Sequence, residues 1–288
     1  MVIRIAIPNK GRLREPAIRL LGRIGLEFPT TTSEGGLLVE TQCGRYRILS
    51  VNARDVPSYV SMGAADCAIT GTDLLAESGL DLPVPLLLEF GKARLVLAVP
   101  QDAEVLRCEE LRSGARIATV YPNITNAFFR DRHQSVEVIP VSGAVEAAPG
   151  MGIADAILDI SDTGTTLRNN GLRVVETVLS TQAGLVTRHG LSKEADLQVQ
   201  ELSLALQSVA RAARCRYLMA NVPRKLLAEL PALLPGVEGP TVIPLLGRDD
   251  WVAVHAVVAE DEVNGVVAVL KRGGATGILI APLERMVL

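Results

Sequence analysis

Asp159, Thr163, Gly164, Thr165 and Thr166 fall within eight consecutive positions, setting a carboxylate just ahead of a small, hydroxyl-rich turn. A carboxylate at that place can accept hydrogen bonds from sugar hydroxyls. Threonine hydroxyls and the backbone N–H groups that open a helix can hold an anion. Together these chemistries suit a ribose 5-phosphate. The plainer reading is a strand ending in an N-capped helix, with Asp162 or Thr163 as the cap. Three threonines and a glycine in four residues, however, supply more donors than one cap requires. Upstream, Ala156, Ile157, Leu158 and Ile160 have the near-continuous apolar character of a strand buried on both faces, with Asp159 at its end.

Other reactive side chains gather at similar junctions. Lys10, Gly11 and Arg12 follow a first strand and enter a helix, where two cations and free N–H groups can meet a polyphosphate or simply be solvated. Asp73 sits in the turn Gly71-Thr72-Asp73. Arg94, with Lys92 just before it, either borders a cleft or flanks a strand. Tyr121 can offer an aromatic face to a base or occupy a solvent-facing turn. Glu146 is either a functional acid or a first-turn residue stabilised by the helix dipole. Cys43, Cys67, Cys108 and Cys215 lie far apart without metal-ligand spacing, and no nucleophile motif surrounds His133, His189 or His255. Neither a zinc site nor a redox dithiol is indicated, the cysteines read as reduced and cytosolic, and the histidines read as structural.

The elements that must position these groups follow from length and pattern. A chain of 288 residues exceeds one typical core, so two or three domains are expected. No apolar run approaches the roughly 18 residues of a membrane span. Val2 to Ile7 is too short for a signal peptide and reads as a strand, so a cytoplasmic protein is expected. A net charge of −3 excludes a generally basic nucleic-acid binder. Gly11 to Ile24 has helical spacing and is closed by Gly25. Strands are predicted at 46–51, 66–70, 94–99, 116–120, 136–141 and 154–160, then at 172–179 and 184–187. This is an α/β chain in two lobes: residues 1–91 with 180–206 form lobe I, and residues 92–179 form lobe II. The double crossover leaves a cleft, toward which the loops at Asn9, Gly71, Tyr121, Ser142 and Asp162 converge beyond the carboxyl ends of the strands.

A helix over 192–213 reads as a connector and plausible hinge. Beyond it, residues 207–288 read as β-α-β-β-α-β, a ferredoxin-like domain suited to regulation or assembly. Its second helix is marked by Val263, Val266, Val267 and Leu270 and stopped by Gly273-Gly274, while Pro231 interrupts the first.

The segment Glu146-x5-Gly152-x-Ala154-x2-Ile157-x-Asp159-Ile160-x2-Thr163-Gly164-x-Thr166-Leu167 resembles the signature of the ATP phosphoribosyltransferase family, the first enzymes of histidine biosynthesis, at every constrained position. The Asn-Lys-Gly-Arg-Leu start, the Gly-Thr-Asp-Leu-Leu turn, Thr119-Val120-Tyr121-Pro122 and Gly274-Ala275-Thr276-Gly277-Ile278-Leu279 are similar to that family as well. Asp162 stands where many relatives carry a small residue. A carboxylate there repels an anion unless it points outward or caps the helix, so Asp162 is left out of the binding set.

The resemblance, to the long form, implies two lobes like those of periplasmic binding proteins and a histidine-binding third domain. It implies dimers in exchange with hexamers, and transfer of 5-phosphoribosyl from 5-phosphoribosyl 1-diphosphate to N1 of ATP with Mg2+ on the diphosphate. In that setting Asp159, Glu146 and Arg12 are the expected catalytic groups. Lys10, Gly11, Asp73, Arg94, Tyr121, Thr163, Gly164, Thr165 and Thr166 are expected to bind substrate, Asn221, Thr241 and Thr276 to lie near histidine, and the metal ligands are left unassigned. Two rivals remain at this point: a non-catalytic solute-binding protein of the same two-lobed fold, and a phosphoribosyltransferase acting on a free base, which is usually shorter and lacks the last domain.

Overall fold

Ile3, Ile5, Ala6 and Ile7 are fully buried, as a strand covered on both faces requires. In the computed structural model, which describes residues 1–29, 37–162, 164–234, 236–237 and 239–288, they lie on β1 (Ile3–Pro8). There follow α1 (Arg14–Arg23), β2 (Leu38–Glu40), β3 (Tyr46–Val51), α2 (Val56–Ser61), β4 (Cys67–Gly71), α3 (Thr72–Ser78) and β5 (Leu86–Leu87). Lobe II adds β6 (Ala93–Pro100), β7 (Ala115–Thr119), α4 (Pro122–Asp131), β8 (Val136–Pro140), β9 (Ala156–Ser161), α5 (Thr165–Asn169) and β10 (Leu172–Thr181). The chain then returns through β11 (Ala183–Thr187) and enters α6 (Lys193–Ala213).

The first sheet runs β2-β3-β1-β4-β11-β5 and the second β10-β6-β9-β7-β8. β1 is parallel to β3 and β4, and β7 is parallel to β8 and β9, so the carboxyl ends within each group lie on one side. The two chain crossings between the sheets are themselves paired. Ala183 N donates to Phe90 O at 3.0 Å, Leu88 N donates to Ala183 O at 2.8 Å, and Thr72 N reaches Gln182 O at 2.9 Å. The two-lobed, doubly connected architecture expected from the sequence is therefore present.

Local signals hold in several places. Gly25 takes φ +81 just past α1 and Gly79 takes φ +66 at the end of α3, left-handed turns that glycine adopts without a Cβ penalty. α1 itself begins at Arg14 rather than Gly11, because Gly11 at φ +86 turns the chain first and Arg14 N closes on Gly11 O at 3.2 Å.

The chain divides into two compact units, Met1–Ser203 and Leu204–Leu288. The second carries β12 (Cys215–Pro223), α7 (Leu230–Leu233), β13 (Thr241–Leu245), β14 (Arg248–Ala259), α8 (Val263–Arg272) and β15 (Thr276–Pro282). Its antiparallel sheet is ordered β13-β14-β12-β15, the ferredoxin-like arrangement. Leu218, Val222, Val252, Val254, Leu230 and Leu270 form its core, on the face covered by the helices. The expected first helix is a 3-10 turn, Arg224–Leu226, followed by α7, in whose first turn Pro231 sits. A proline that lacks an N–H is tolerated there and not further along.

Candidate active site

β4 ends in Gly71 and α3 begins at once, which brings Asp73 back under the turn. A Cβ at position 71 would overlap the Asp73 carboxylate, so glycine is what lets the acid fold in. Asp73 is 1% exposed. It accepts hydrogen bonds from the Tyr121 hydroxyl at 2.9 Å, from Thr181 Oγ1 at 2.8 Å and from the Arg12 guanidinium at 3.3 Å. Arg12 also donates to the carbonyl of Gly91, beside the chain crossing. These partners come from the loop after β1, the turn after β7 and the end of β10, so one buried carboxylate joins both lobes.

This network corrects one expectation. The Tyr121 ring is 6% exposed and packs in the core of lobe II with Phe128 and Phe129, so neither a free aromatic face nor a solvent-facing turn is present. Burial, reinforced by the Asp73 charge, holds its hydroxyl protonated well above the usual phenol range. Asp73 has both carboxylate oxygens engaged internally, by Arg12, Tyr121 and Thr181. The Thr119 hydroxyl extends the chain of contacts: it donates to Leu158 O at 2.6 Å and accepts from Tyr121 N at 2.8 Å. It thus ties the Tyr121 turn to the strand that carries Asp159.

Asp159 lies within β9 rather than at its end. In register with Val96, it shares a sheet face with Ile157, Ser161 and Arg94. Its carboxylate accepts from Ile160 N at 2.8 Å. Burial pushes its carboxyl up to about 6, with the Glu146 charge adding to the rise and Arg54 of lobe I offsetting part of it. Glu146 is half-buried on the 3-10 turn Val145–Ala147, entered through Ala144 in the left-handed region at φ 51. The two acids and Arg54 therefore form an electrostatic group that spans the lobes. Arg54 was missed in the sequence, although the loop after β3 ends beside those after β1 and β4, where such a cation is to be looked for.

The hydroxyl-rich turn follows directly. Gly164, at φ +74, is the N-cap residue of α5, and it has no side chain with which to cap the helix. The N-cap position thus falls on Gly164 rather than on Asp162, and its missing Cβ permits the left-handed turn. Asp162 is exposed, Thr165 and Thr166 are exposed, and Leu167 anchors α5 in the core. Thr165 Oγ1 accepts from Arg168 at 3.3 Å. Thr163 lies outside the described residues. Lys10, Gly11 and Arg94 are exposed, and Arg94 pairs through its backbone with Ser161 at the start of this turn.

Among the described residues, Cys108, Glu109 and Glu176 bring ligand atoms within 4.8 Å of one another. Burial, together with hydrogen bonds to Glu176 and Glu109, pushes the Cys108 thiol up to about 12, and Arg132 already pairs with Glu176 at 2.8 Å. This group packs with the opposite side of the lobe II sheet from Asp159. His189 Nε2 pairs with Asp81 O at 2.9 Å, and His255 Nδ1 pairs with the Tyr217 hydroxyl at 2.7 Å. In the second unit Asn221 and Thr276 are register partners on β12 and β15. Thr241, aligned with His255, lies on the far edge strand and is not brought beside them. Among the described residues, no helix is long and apolar enough to cross a membrane.

Two α/β lobes with a double crossover, carboxylates and cations on facing loops, and a ferredoxin-like domain that follows them in the chain define a two-lobed cleft protein with a separate C-terminal module. Residues 52–208 match the family model HisG, ATP phosphoribosyltransferase, and residues 212–285 match HisG, C-terminal domain. An ATP phosphoribosyltransferase of Gemmatimonas aurantiaca is 45% identical over 99% of this chain and 100% of its own, and one of Methanococcoides burtonii is 43% identical over 99% and 100%. The solved ATP phosphoribosyl transferase (HisG:HisZ) complex from Thermotoga maritima is similar at 30% identity and a TM-score of 0.63, over 72% of this chain and 97% of that one. The chain belongs to the ATP phosphoribosyltransferase family, in its long form with the C-terminal domain.

Proposed function

We propose that the cleft transfers the 5-phosphoribosyl group of 5-phosphoribosyl 1-diphosphate to N1 of the adenine of ATP, giving N1-(5-phosphoribosyl)-ATP and pyrophosphate, the first step of histidine biosynthesis. Beyond family membership, the observation that carries this reading is the placement of Asp159 on the strand that runs into the Gly164 turn, with the Glu146 charge acting on it and Arg54 and Arg12 on the opposite lobe. The C1–oxygen bond breaks with its electron pair leaving on pyrophosphate, and the N1 lone pair forms the new bond to C1. N1 carries no proton before attack, so the bond-forming step needs no strong general base, in keeping with His189 and His255 engaged elsewhere.

The residues divide the work by chemistry. Asp159, ionised, accepts from ribose hydroxyls and offers negative charge to an oxocarbenium-like C1. Gly164, Thr165, Thr166 and Thr163 hold the 5-phosphate. Lys10, Gly11 and Arg94 meet the polyphosphates. Arg12, fixed by Asp73, presents a positive edge whose orientation is set in advance. The oxygen donors of Asp159 and Glu146, whose mutual repulsion a cation would relieve, fit a hard divalent ion carried on the diphosphate. Mg2+ bound there would withdraw charge from the leaving group.

Histidine is assigned as a feedback inhibitor acting through the C-terminal domain near Asn221 and Thr276, with Thr241 further off, in a cytoplasmic homo-oligomer of dimers and hexamers. Substrates and histidine would then weaken each other's binding. The test is to incubate the protein with ATP, 5-phosphoribosyl 1-diphosphate, Mg2+ and a pyrophosphatase and to weigh the product, with and without histidine. Phosphoribosyl-ATP suppressed by histidine is expected. Product without suppression would remove the effector role, and no product from folded protein would remove the reaction.

A further inference from the structure

Glu77, one helical turn beyond Asp73 on α3, places both carboxylate oxygens on the first turn of α4. It accepts from Asn123 N at 2.9 Å and from Ile124 N at 3.0 Å, and the Asn123 side-chain amide returns a bond to Glu77 O at 2.8 Å. A helix cannot satisfy its own first N–H groups, and the N-cap position of α4, Tyr121, supplies no side-chain cap. The cap is supplied instead from another element. α3 follows β4 of the first sheet and α4 follows β7 of the second, so the capping contact runs between the lobes.

Positions i and i+4 share a helix face, so Asp73 and Glu77 grip the start of α4 side by side, Asp73 at the Tyr121 hydroxyl and Glu77 at the backbone. We propose that Glu77 is a positioning residue for the transfer: by capping α4 across the lobes, it fixes the separation between the Arg12 and Arg54 side of the cleft and the Asp159 and Glu146 side. The inference rests on the reading above that both substrates are held between the lobes. Charge-assisted bonds from a carboxylate to two N–H groups are about twice as strong as neutral ones. Loss of the charge therefore loosens the lobes without removing any group assigned to the substrates.

Loosening has a kinetic signature distinct from poor folding. If the productive arrangement is populated only as a fraction, apparent affinities fall by that fraction, while saturating substrates restore the arrangement and the maximal rate. A merely structural defect lowers the amount of active enzyme, hence kcat, and leaves KM in place.

The experiment compares Glu77→Gln and Asn123→Ala with the wild-type chain in steady-state kinetics and in amide hydrogen exchange of the segment 121–131 without substrate. Glu77→Gln is expected to raise KM for both substrates about tenfold with kcat changed less than twofold. Exchange at Asn123 and Ile124 should be faster in the same variant. Asn123→Ala, which leaves both backbone donors and the carboxylate in place, should shift KM the same way by a smaller factor, and it serves if Glu77→Gln does not fold. An unchanged KM, or a fall in kcat at constant KM, would overturn the positioning role. Wild-type protein that makes no phosphoribosyl-ATP would instead defeat the functional reading, and exchange alone would then judge the clamp: unaltered protection in Glu77→Gln would overturn it.

Discussion

Asp159 and Glu146 are electrostatically coupled: burial and, to a smaller extent, the Glu146 charge together push the Asp159 carboxyl up to about 6. An acid that must be ionised to accept ribose hydroxyls or to favour a cationic C1 then titrates just below neutrality. In the free enzyme, kcat/KM for the ribosyl donor is expected to fall as pH drops through about 6. Mg2+ on the bound diphosphate would move the corresponding limb of kcat to lower pH. Asp159→Asn should lose at least tenfold in kcat/KM at pH 8 and flatten the acid limb. A limb that survives unchanged in the variant would assign it to another group.

The same shift has a stability consequence of definite sign. Between the ordinary carboxylate value of 3.8 and about 6 the folded state holds a proton on Asp159 that the unfolded state has released, so this group's contribution falls as pH rises through that window. Asp66 behaves in the opposite way. Burial alone would raise it, but hydrogen bonds from Arg4 and Arg188 outweigh burial and hold it below 3.8, so its contribution is lost as pH falls below about 4. Asp159→Asn is therefore expected to be more stable than wild type at pH 7 by on the order of 1–2 kcal/mol, and indistinguishable near pH 4. Urea midpoints at the two pH values measure the difference, and an equal gap at both would contradict the linkage.

What was legible in the sequence was what is local. Ile3 to Ile7 and Ala156 to Leu158 read as buried strands because parallel sheets covered on both faces need continuous apolar runs. Gly25 read as a helix stop because only a residue without Cβ adopts its φ cheaply. The edge strands β2 and β5 escaped notice because a short edge strand has no face that must be apolar. The Asp73 network was illegible for a different reason. Its members are separated by 48 residues between Asp73 and Tyr121 and by 108 between Asp73 and Thr181, and no periodicity connects residues so far apart. Tyr121 could be placed at a strand end by pattern, but only the folded lobes show its hydroxyl spent on a buried carboxylate.

That network is open to a single-atom test. Tyr121→Phe keeps the ring in its core position and removes only the donor to Asp73, leaving one carboxylate oxygen with one fewer bond in a buried place. A loss of about 1–3 kcal/mol in stability is expected. Activity should fall as well, because Arg12 is then held by a less constrained Asp73. Denaturant unfolding of Tyr121→Phe, Asp73→Asn and the double variant would show a coupling energy. Strict additivity would mean that the two side chains do not act together.

The phosphate assignment predicts a selective defect. Thr166 is exposed on α5 while Leu167 beside it anchors the helix in the core, so Thr166→Ala removes a hydroxyl with little effect on folding. KM for 5-phosphoribosyl 1-diphosphate should rise about tenfold, and KM for ATP should change far less. Equal effects on both substrates, or none on the donor, would take the 5-phosphate away from this turn.

Ala144 carries a cost that bears on Glu146. It holds φ 51 and ψ 35, a left-handed conformation that an L-residue with a Cβ adopts at about 1–2 kcal/mol, and it immediately precedes the 3-10 turn bearing Glu146. A glycine there relieves the strain but gives the unfolded chain more freedom, worth about 0.4–1 kcal/mol against folding. The balance predicts that Ala144→Gly is more stable than wild type by up to about 1 kcal/mol. If the strained backbone serves to hold Glu146 toward Asp159, the stabilised variant should nonetheless lose kcat/KM for the ribosyl donor, and its acid limb should move below pH 6 as the Glu146 charge moves away from Asp159. A variant that gains stability with its pH profile intact would show that the turn tolerates either residue and that the position of Glu146 is set by the packing of Val145 and Ala148 instead.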